Sequence, residues 1–132
     1  MPRTLGQERA EFALNRVIAF KNAHSNEQTK RKELKSLSAS LPAMILQNGL
    51  GHTLSFLYSK GKDHHIELLN AIVEWLTENF NDFNNYGNVQ GFIRRLTQVD
   101  QRVYLSAQQE ALKMLEWYKR YANSGFLIED NN

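Results

Sequence analysis

Apolar positions recur along this chain at steps of three and four, with polar and charged residues between them and no stretch of strict alternation, so the elements predicted are helices. The first runs to about Ala23 on a stripe of Ala10, Ala13, Val17 and Phe20; Thr4 and Gln7 have capping-box spacing, and Glu8 and Glu11 lie near its positive end. Ser25 and Gln28 repeat that spacing and predict a second helix with Leu34, Leu37 and Leu41 along one face. Next comes the stretch densest in apolar residues, Leu41–Lys60. Pro42, with fixed φ and no amide hydrogen, suits the first turn of a helix capped by Ser40. That helix is predicted to end at Gln47, because Asn48 and Gly49 tolerate left-handed backbone, and the chain to restart at Gly51 or His52 and stop near Ser59. Met44, Ile45, Leu50, Leu54, Phe56 and Leu57 would anchor this corner in a core.

Asp63 is placed as the cap of the following helix. Its inward face is Ile66, Leu69, Ile72, Val73, Leu76 and Phe80, and Glu67, Glu74 and Glu78 fall on the other side. Asn79–Asn88 reads as a turn, and Val89–Leu96 as a short helix with Phe92, Ile93 and Leu96 inward and Arg94 and Arg95 outward. Asp100 caps a last helix to about Ala122, with Tyr104, Ala107, Ala111, Leu115, Tyr118 and Ala122 inside and Arg102, Gln109, Lys113, Glu116 and Arg120 outside. Its alanines let a neighbour approach closely, which places it in the middle of the bundle with Trp117 and Tyr118 covering one end. The expectation is an all-α fold, a single compact bundle of about six helices over residues 1–125, followed by a weakly ordered acidic tail over 126–132.

Composition narrows the chemistry. At 132 residues, 42% hydrophobic and 23% charged, the chain is the length of one ordinary globular domain. No apolar run is long enough for a membrane span and the N-terminus has no signal-peptide core, so an intracellular, cytoplasmic protein is expected. The absence of cysteine excludes disulfides, thiolate nucleophiles and cysteine-ligated metals. His64 and His65 point about 100° apart on a helix, and neither they nor His24 and His52 show a metal-binding spacing, so no metal or cofactor is expected. Asn48-Gly49-Leu50-Gly51 lacks the span and the Lys-Ser/Thr of a phosphate loop and reads as a tight corner. Serines 36, 38 and 40 have no nucleophile elbow around them, and Glu74 and Glu78 read as a solvated face, so no catalytic residue is assigned. The enzymatic alternative is a small hydrolase or nuclease using His52, His64 and His65 with nearby carboxylates. A DNA-reading helix-turn-helix at Pro42–Lys60 is set aside, because its second arm carries Thr53, Ser55 and apolar residues rather than base-reading Arg, Asn or Gln.

The formal net charge is only +2, but residues 1–35 hold eight Lys/Arg against four Asp/Glu, whereas residues 41–100 hold four against six. Lys30, Arg31, Lys32 and Lys35 span less than two turns, and Arg94-Arg95 and Lys119-Arg120 are two further basic pairs. Converging, they would form a phosphate-tracking patch; dispersed, they are a solubilising face partly neutralised by Glu27, Glu33 and Glu116. Aromatic residues do not interleave with the cluster, so no base-stacking platform is indicated.

Two motifs carry a family resemblance. LPAMILQNGLGHTLSFLYSKG, from Leu41 to Gly61, resembles the signature of the small α-helical fifth subunit of the type III-B CRISPR (Cmr) effector ribonucleoprotein, approximately LPaxIxxNGLgqtLaFlxsK. YLSAQQEALKMLEWYKRYA, from Tyr104 to Ala122, resembles that family's closing helix, with Tyr104, Ala107, Glu110, Ala111, Leu112, Leu115, Trp117, Lys119, Arg120 and Ala122 in register. Ala10, Ala13 and Val17 fit its first helix. The chain departs from the pattern at His52, where glutamine is common, at Leu105, where arginine is common, and at Gln108, where threonine is common. The resemblance implies an all-helical, non-catalytic subunit. Its implied partners are the other subunits of the effector complex, especially the repeated backbone subunit, with CRISPR RNA and target RNA nearby and self-stacking of copies as a further expectation. On that reading Lys30, Arg31, Lys35, Arg94, Arg95, Lys119 and Arg120 offset RNA phosphate charge, and Asn48, Gly49 and His52 sit at a protein contact.

Overall fold

The computed structural model describes residues 2–84 and 87–128. Among them the chain forms α1 (Leu5–Ala23), α2 (Gln28–Asn48), α3 (Leu50–Lys60), α4 (Asp63–Asn79), a single 3-10 turn at Asn81–Phe83, α5 (Val89–Leu96) and α6 (Gln101–Ala122). No strand occurs among the described residues, and the fold is the expected all-α bundle. The capping box opens α1 as predicted: the Gln7 amide donates to the Thr4 hydroxyl and the Thr4 amide to the Gln7 side chain. Asp100 caps α6 by accepting from the Val103 amide, and Asn88 does the same for α5 from Gly91.

The bundle is organised on α6, which packs most extensively on α1 and α2 and also on α4. Buried small residues on facing helices, Ala13 in α1 and Ala107 and Ala111 in α6, bring those axes close. Arg9 reaches Glu110, and seven residues on Arg16 reaches Glu67, which also accepts from Tyr118; α1 and α6 therefore run parallel. α4 runs against both, and Phe12 packs on Trp75 with ring centroids 5.0 Å apart. The core combines Val17, Leu34, Leu41, Ile45, Leu54, Leu57, Ile72, Leu76, Met114 and Leu115, all buried. Of the six corner anchors, Ile45, Leu50, Leu54 and Leu57 are buried and Met44 and Phe56 pack partly against the core.

Local signals misplace several boundaries. α2 is one helix through Pro42 rather than two meeting there, and Ser40 donates to the Leu37 carbonyl instead of capping a new turn. The reason is tertiary: Leu34, Ser38, Leu41, Pro42 and Ile45 form one buried stripe whose packing outweighs the single hydrogen bond Pro42 removes. α2 begins after Glu27 without a side-chain cap, so the Ser25 capping box does not form; the Glu27 carboxylate instead meets His24 and Lys30. Asp63 is the first residue of α4, not its cap, and its carboxylate lies 2.6 Å from Lys30 Nζ. Glu67, expected on the solvent side, turns inward to Arg16 and Tyr118. The Asn-rich turn contains a fully buried Phe83, in contact with Phe92. Past α6, Leu127 is buried and the exposed Phe126 meets Tyr121 edge-on, while Glu129–Asn132, the rest of the expected tail, lie outside the described residues.

Candidate functional site

Two helices share one glycine at the corner. The Gly49 amide donates to the Ile45 carbonyl and ends α2, while its carbonyl accepts from both the amide and the hydroxyl of Thr53 and begins α3. This double role needs φ +87°, a region costly for any residue with a Cβ. The next amides would be orphaned at a helix N-terminus. They are capped from α6: Leu50 N–H donates to Gln108 Oε1 at 2.8 Å and Gly51 N–H to Tyr104 Oη at 2.8 Å. Tyr104 and Gln108 are one turn apart, so a single face of α6 closes the start of α3. A Cβ on Gly49 or Gly51 would lie 3.2 or 3.4 Å from the Tyr104 oxygen, so both glycines make room for this approach. The corner is thus sealed from inside. Outside it, Asn48 and His52 are exposed and Gly49 is half-exposed, next to Leu46, whose relative exposure of 69% is the highest among the exposed large apolar residues.

The basic residues separate into two groups. Lys30 bonds to Asp63 and Tyr118 to Glu67, one turn further along α4, so the start of α2 and the end of α6 lie over the same end of the bundle. Lys30–Lys35 and Lys119-Arg120 share that end. Arg94 and Arg95 precede Leu96, which packs by Gly51 and Tyr104 near the start of α6, about 22 Å of helix away from Lys119. Within the first group the charges are not equivalent. Lys30 is held by Asp63 and Glu27, and these carboxylates raise its pKa. Arg31 Nη1 donates to the His24 and Ser25 carbonyls and fastens the α1–α2 turn. Lys32, Lys35 and Arg120 are exposed, with no ion-pair partner among the described residues. In the second group Arg94 is exposed, and Arg95 is half-buried with Nε donating to the Asp82 carbonyl.

Two arginine networks were not singled out in the sequence. Arg9 makes a forked pair with Glu110, which also accepts from the Trp75 indole at 3.0 Å. Burial pushes the Glu110 carboxyl up, but the bonds from Arg9 and Trp75 outweigh it and leave the pKa lowered. Arg16 forks onto Glu67 and reaches Glu74 at 2.8 Å. Glu67 goes the other way: burial raises its pKa and Arg16 and Tyr118 only offset part of the rise. Tyr118, fully buried, is pushed well above the ordinary phenol value by burial and by Glu67. The spacing of Arg9 and Arg16, two turns apart on one face, was a legible signal of paired inward cations.

His64 and His65 are buried at the start of α4 with ring centroids 4.1 Å apart. His65 meets Phe56 edge-on and its Nδ1 has no hydrogen-bond partner among the described residues; His64 Nε2 lies 3.8 Å from Glu33. Burial lowers the pKa of both. His52 lies two residues from the start of α3, at the opposite end of that helix from them. Among the described residues no group of three or more His, Asp or Glu could hold a metal ion, and no helix is long and apolar enough to cross a membrane.

Residues 5–125 match the family model described as CRISPR-associated protein (Cas_Cmr5). Over 121 residues, 89% of this chain and 81% of the relative, the sequence is 34% identical to the CRISPR system Cmr subunit Cmr5 of Thermotoga maritima. It is 29% identical over 100 residues to the subunit of the same description from Thermus thermophilus, 76% of this chain and 79% of the relative. The fold is similar to the crystal structure of a CRISPR-associated Cmr5 family protein, also from Thermus thermophilus, with a TM-score of 0.75 and 29% identity, covering 97% of this chain and all of that one.

Proposed function

The chain belongs to the Cas_Cmr5 family of CRISPR-associated proteins, and from that premise we propose that it is the small, non-catalytic subunit of a type III-B Cmr effector complex. It packs against the repeated backbone subunit and turns a basic end toward the guide–target RNA. The observation that carries the RNA side is the trio Lys32, Lys35 and Arg120, exposed and unpaired among the described residues at one end of the bundle. Lys30, Arg31 and Lys119 belong to the same surface, the first two held in place by protein groups so that their charge is fixed rather than free to reach. Arg94 and Arg95 form a second, separate phosphate contact. The attraction is electrostatic and reads no sequence, which base pairing in the guide already supplies. Asn48, Gly49 and His52, with the exposed Leu46, form the protein-facing side at the corner. The histidine-dependent alternative has no observation in its favour: His64 and His65 are buried and biased to the neutral form, with His52 at the far end of another helix.

Filter binding of single-stranded RNA and of an RNA duplex against salt tests the RNA side. Affinity should fall as salt rises, and Lys35→Glu with Arg120→Glu should weaken both substrates while reducing the salt slope by roughly 0.7–0.9 for each phosphate no longer neutralised. Curves indifferent to salt and to both reversals would overturn it. Purification of the tagged protein should bring a guide RNA and other subunits with it; recovery alone and RNA-free would count against membership of the complex.

A further inference from the structure

Among the described residues, one face of α4 is left uncovered by the rest of the bundle. Asn70, Val73, Glu74, Thr77 and Glu78 follow the spacing of a single helical face and line a groove of about 680 Å³. The far wall comes from the start of α5 and the residues before it: Gly87, Asn88, Val89 and the buried Phe92. Its floor is apolar and its rim is acidic. Arg16 closes one end, but its guanidinium is committed to Glu67 and Glu74, and the charges lining the groove, Arg16, Glu74 and Glu78, sum to minus one. Glu78 has no ion-pair partner among the described residues, and burial together with Glu74 raises its pKa, as expected of a carboxylate short of a cation. Glu78 also borders an adjoining groove with Arg3, Glu8 and Glu11, where Arg3 pairs with Glu11 and leaves Glu8 and Glu78 as its uncompensated carboxylates.

We propose that this groove receives an arginine- or lysine-bearing segment of a partner protein, with the aliphatic stem on Val73, Val89 and Phe92 and the cation at Glu78. The charge of the rim selects the occupant: a long basic side chain matches both an apolar floor and an unpaired carboxylate, whereas an acidic segment or a phosphate backbone meets repulsion. The site is distinct from the RNA-facing end and does not depend on it.

The test is an amide NMR titration of the whole chain with the blocked pentapeptide acetyl-ALRLA-amide, and with its ALELA counterpart as control. Shifts confined to residues around Val73, Thr77 and Val89, with the basic peptide only, are the expected result. Glu78→Gln should weaken binding about fivefold and Thr77→Arg, which puts a cation in the groove, should abolish it; both variants should keep native amide dispersion and unchanged RNA titrations. Equal weakening by Glu8→Gln/Glu11→Gln, equal shifts with the acidic peptide, or shifts scattered over the surface would overturn the proposal. So would a concentration-dependent dimer lost in Glu78→Gln, which would assign the groove to a second copy of the chain.

Discussion

Tyr104 and Gln108 each reach across from α6 to hold an amide of α3, so the corner depends on single atoms. Tyr104→Phe should cost about 1 kcal/mol in urea unfolding, the usual loss for one such bond, and a cycle with Gln108→Ala should show coupling because both caps hold one turn. Gly49→Ala should cost more, about 1–3 kcal/mol, from the strained φ and the approach of Tyr104 together. The sequence disclosed the turn but not its seal: Asn-Gly is a local signal, whereas a tyrosine and a glutamine more than fifty residues away carry no mark of their target. The two buried carboxylates make an opposed pair. Glu110 has a lowered folded pKa, so its contribution is complete above the ordinary carboxylate range and is lost as pH falls through the folded value. Glu67 has a raised one, so its contribution is present at acid pH and is lost as pH rises through the folded value. Glu110→Gln should therefore cost about 2–3 kcal/mol at pH 7 and the deficit should shrink in acid, while Glu67→Gln costs less at neutral pH.

At the level of elements, α2 and α4 show where reading by neighbours fails. Capping and breaker rules concern a few adjacent residues, and they split α2 at Pro42; the apolar stripe from Leu34 to Ile45 spans the break and was the better guide. Hydrogen exchange should find the amides of residues 43–46 as protected as those of 34–38, and a gap beginning at Ser40 would restore the two-helix reading. The bounds of the short α5 and the long α6 were legible from a clear inward face on each, joined in α6 by the Asp100 cap. Glu67 was not, since a carboxylate on a polar flank looks solvated until a partner arginine from α1 is known. On α4 the buried imidazoles carry a pH dependence. Both folded pKa values are lowered, so stability from these sites is complete above about pH 6.5 and falls as pH drops through the folded values. His64→Asn/His65→Leu should flatten the fall of unfolding free energy below about pH 6.5 relative to the parent chain.

Over the whole molecule, a net charge of +2 conceals separation: cations at the joined ends of α2 and α6, and along α4 four carboxylates with no lysine or arginine among them. Composition alone gave the imbalance between residues 1–35 and 41–100, and the two family-like motifs pointed to the family; neither could say that Arg31 is buttressing a turn while Lys32 stands free. That distinction predicts opposite outcomes for neighbours. Arg31→Ala should lower the melting temperature, leaving the Ser25 carbonyl without its donor and the His24 carbonyl with the Glu27 amide alone, whereas Lys32→Ala should leave it unchanged and weaken RNA retention. The unbroken α2 has a mechanical consequence as well. Its 21 residues make a rod about 31 Å long, with the basic end at one tip and the exposed corner at the other. Pivoted near one tip, such a lever converts a tilt of about 5° into nearly 3 Å of travel at the other. On the proposed function, a tilt imposed by RNA at the basic end would reach, as displacement, a partner seated on Asn48 and His52.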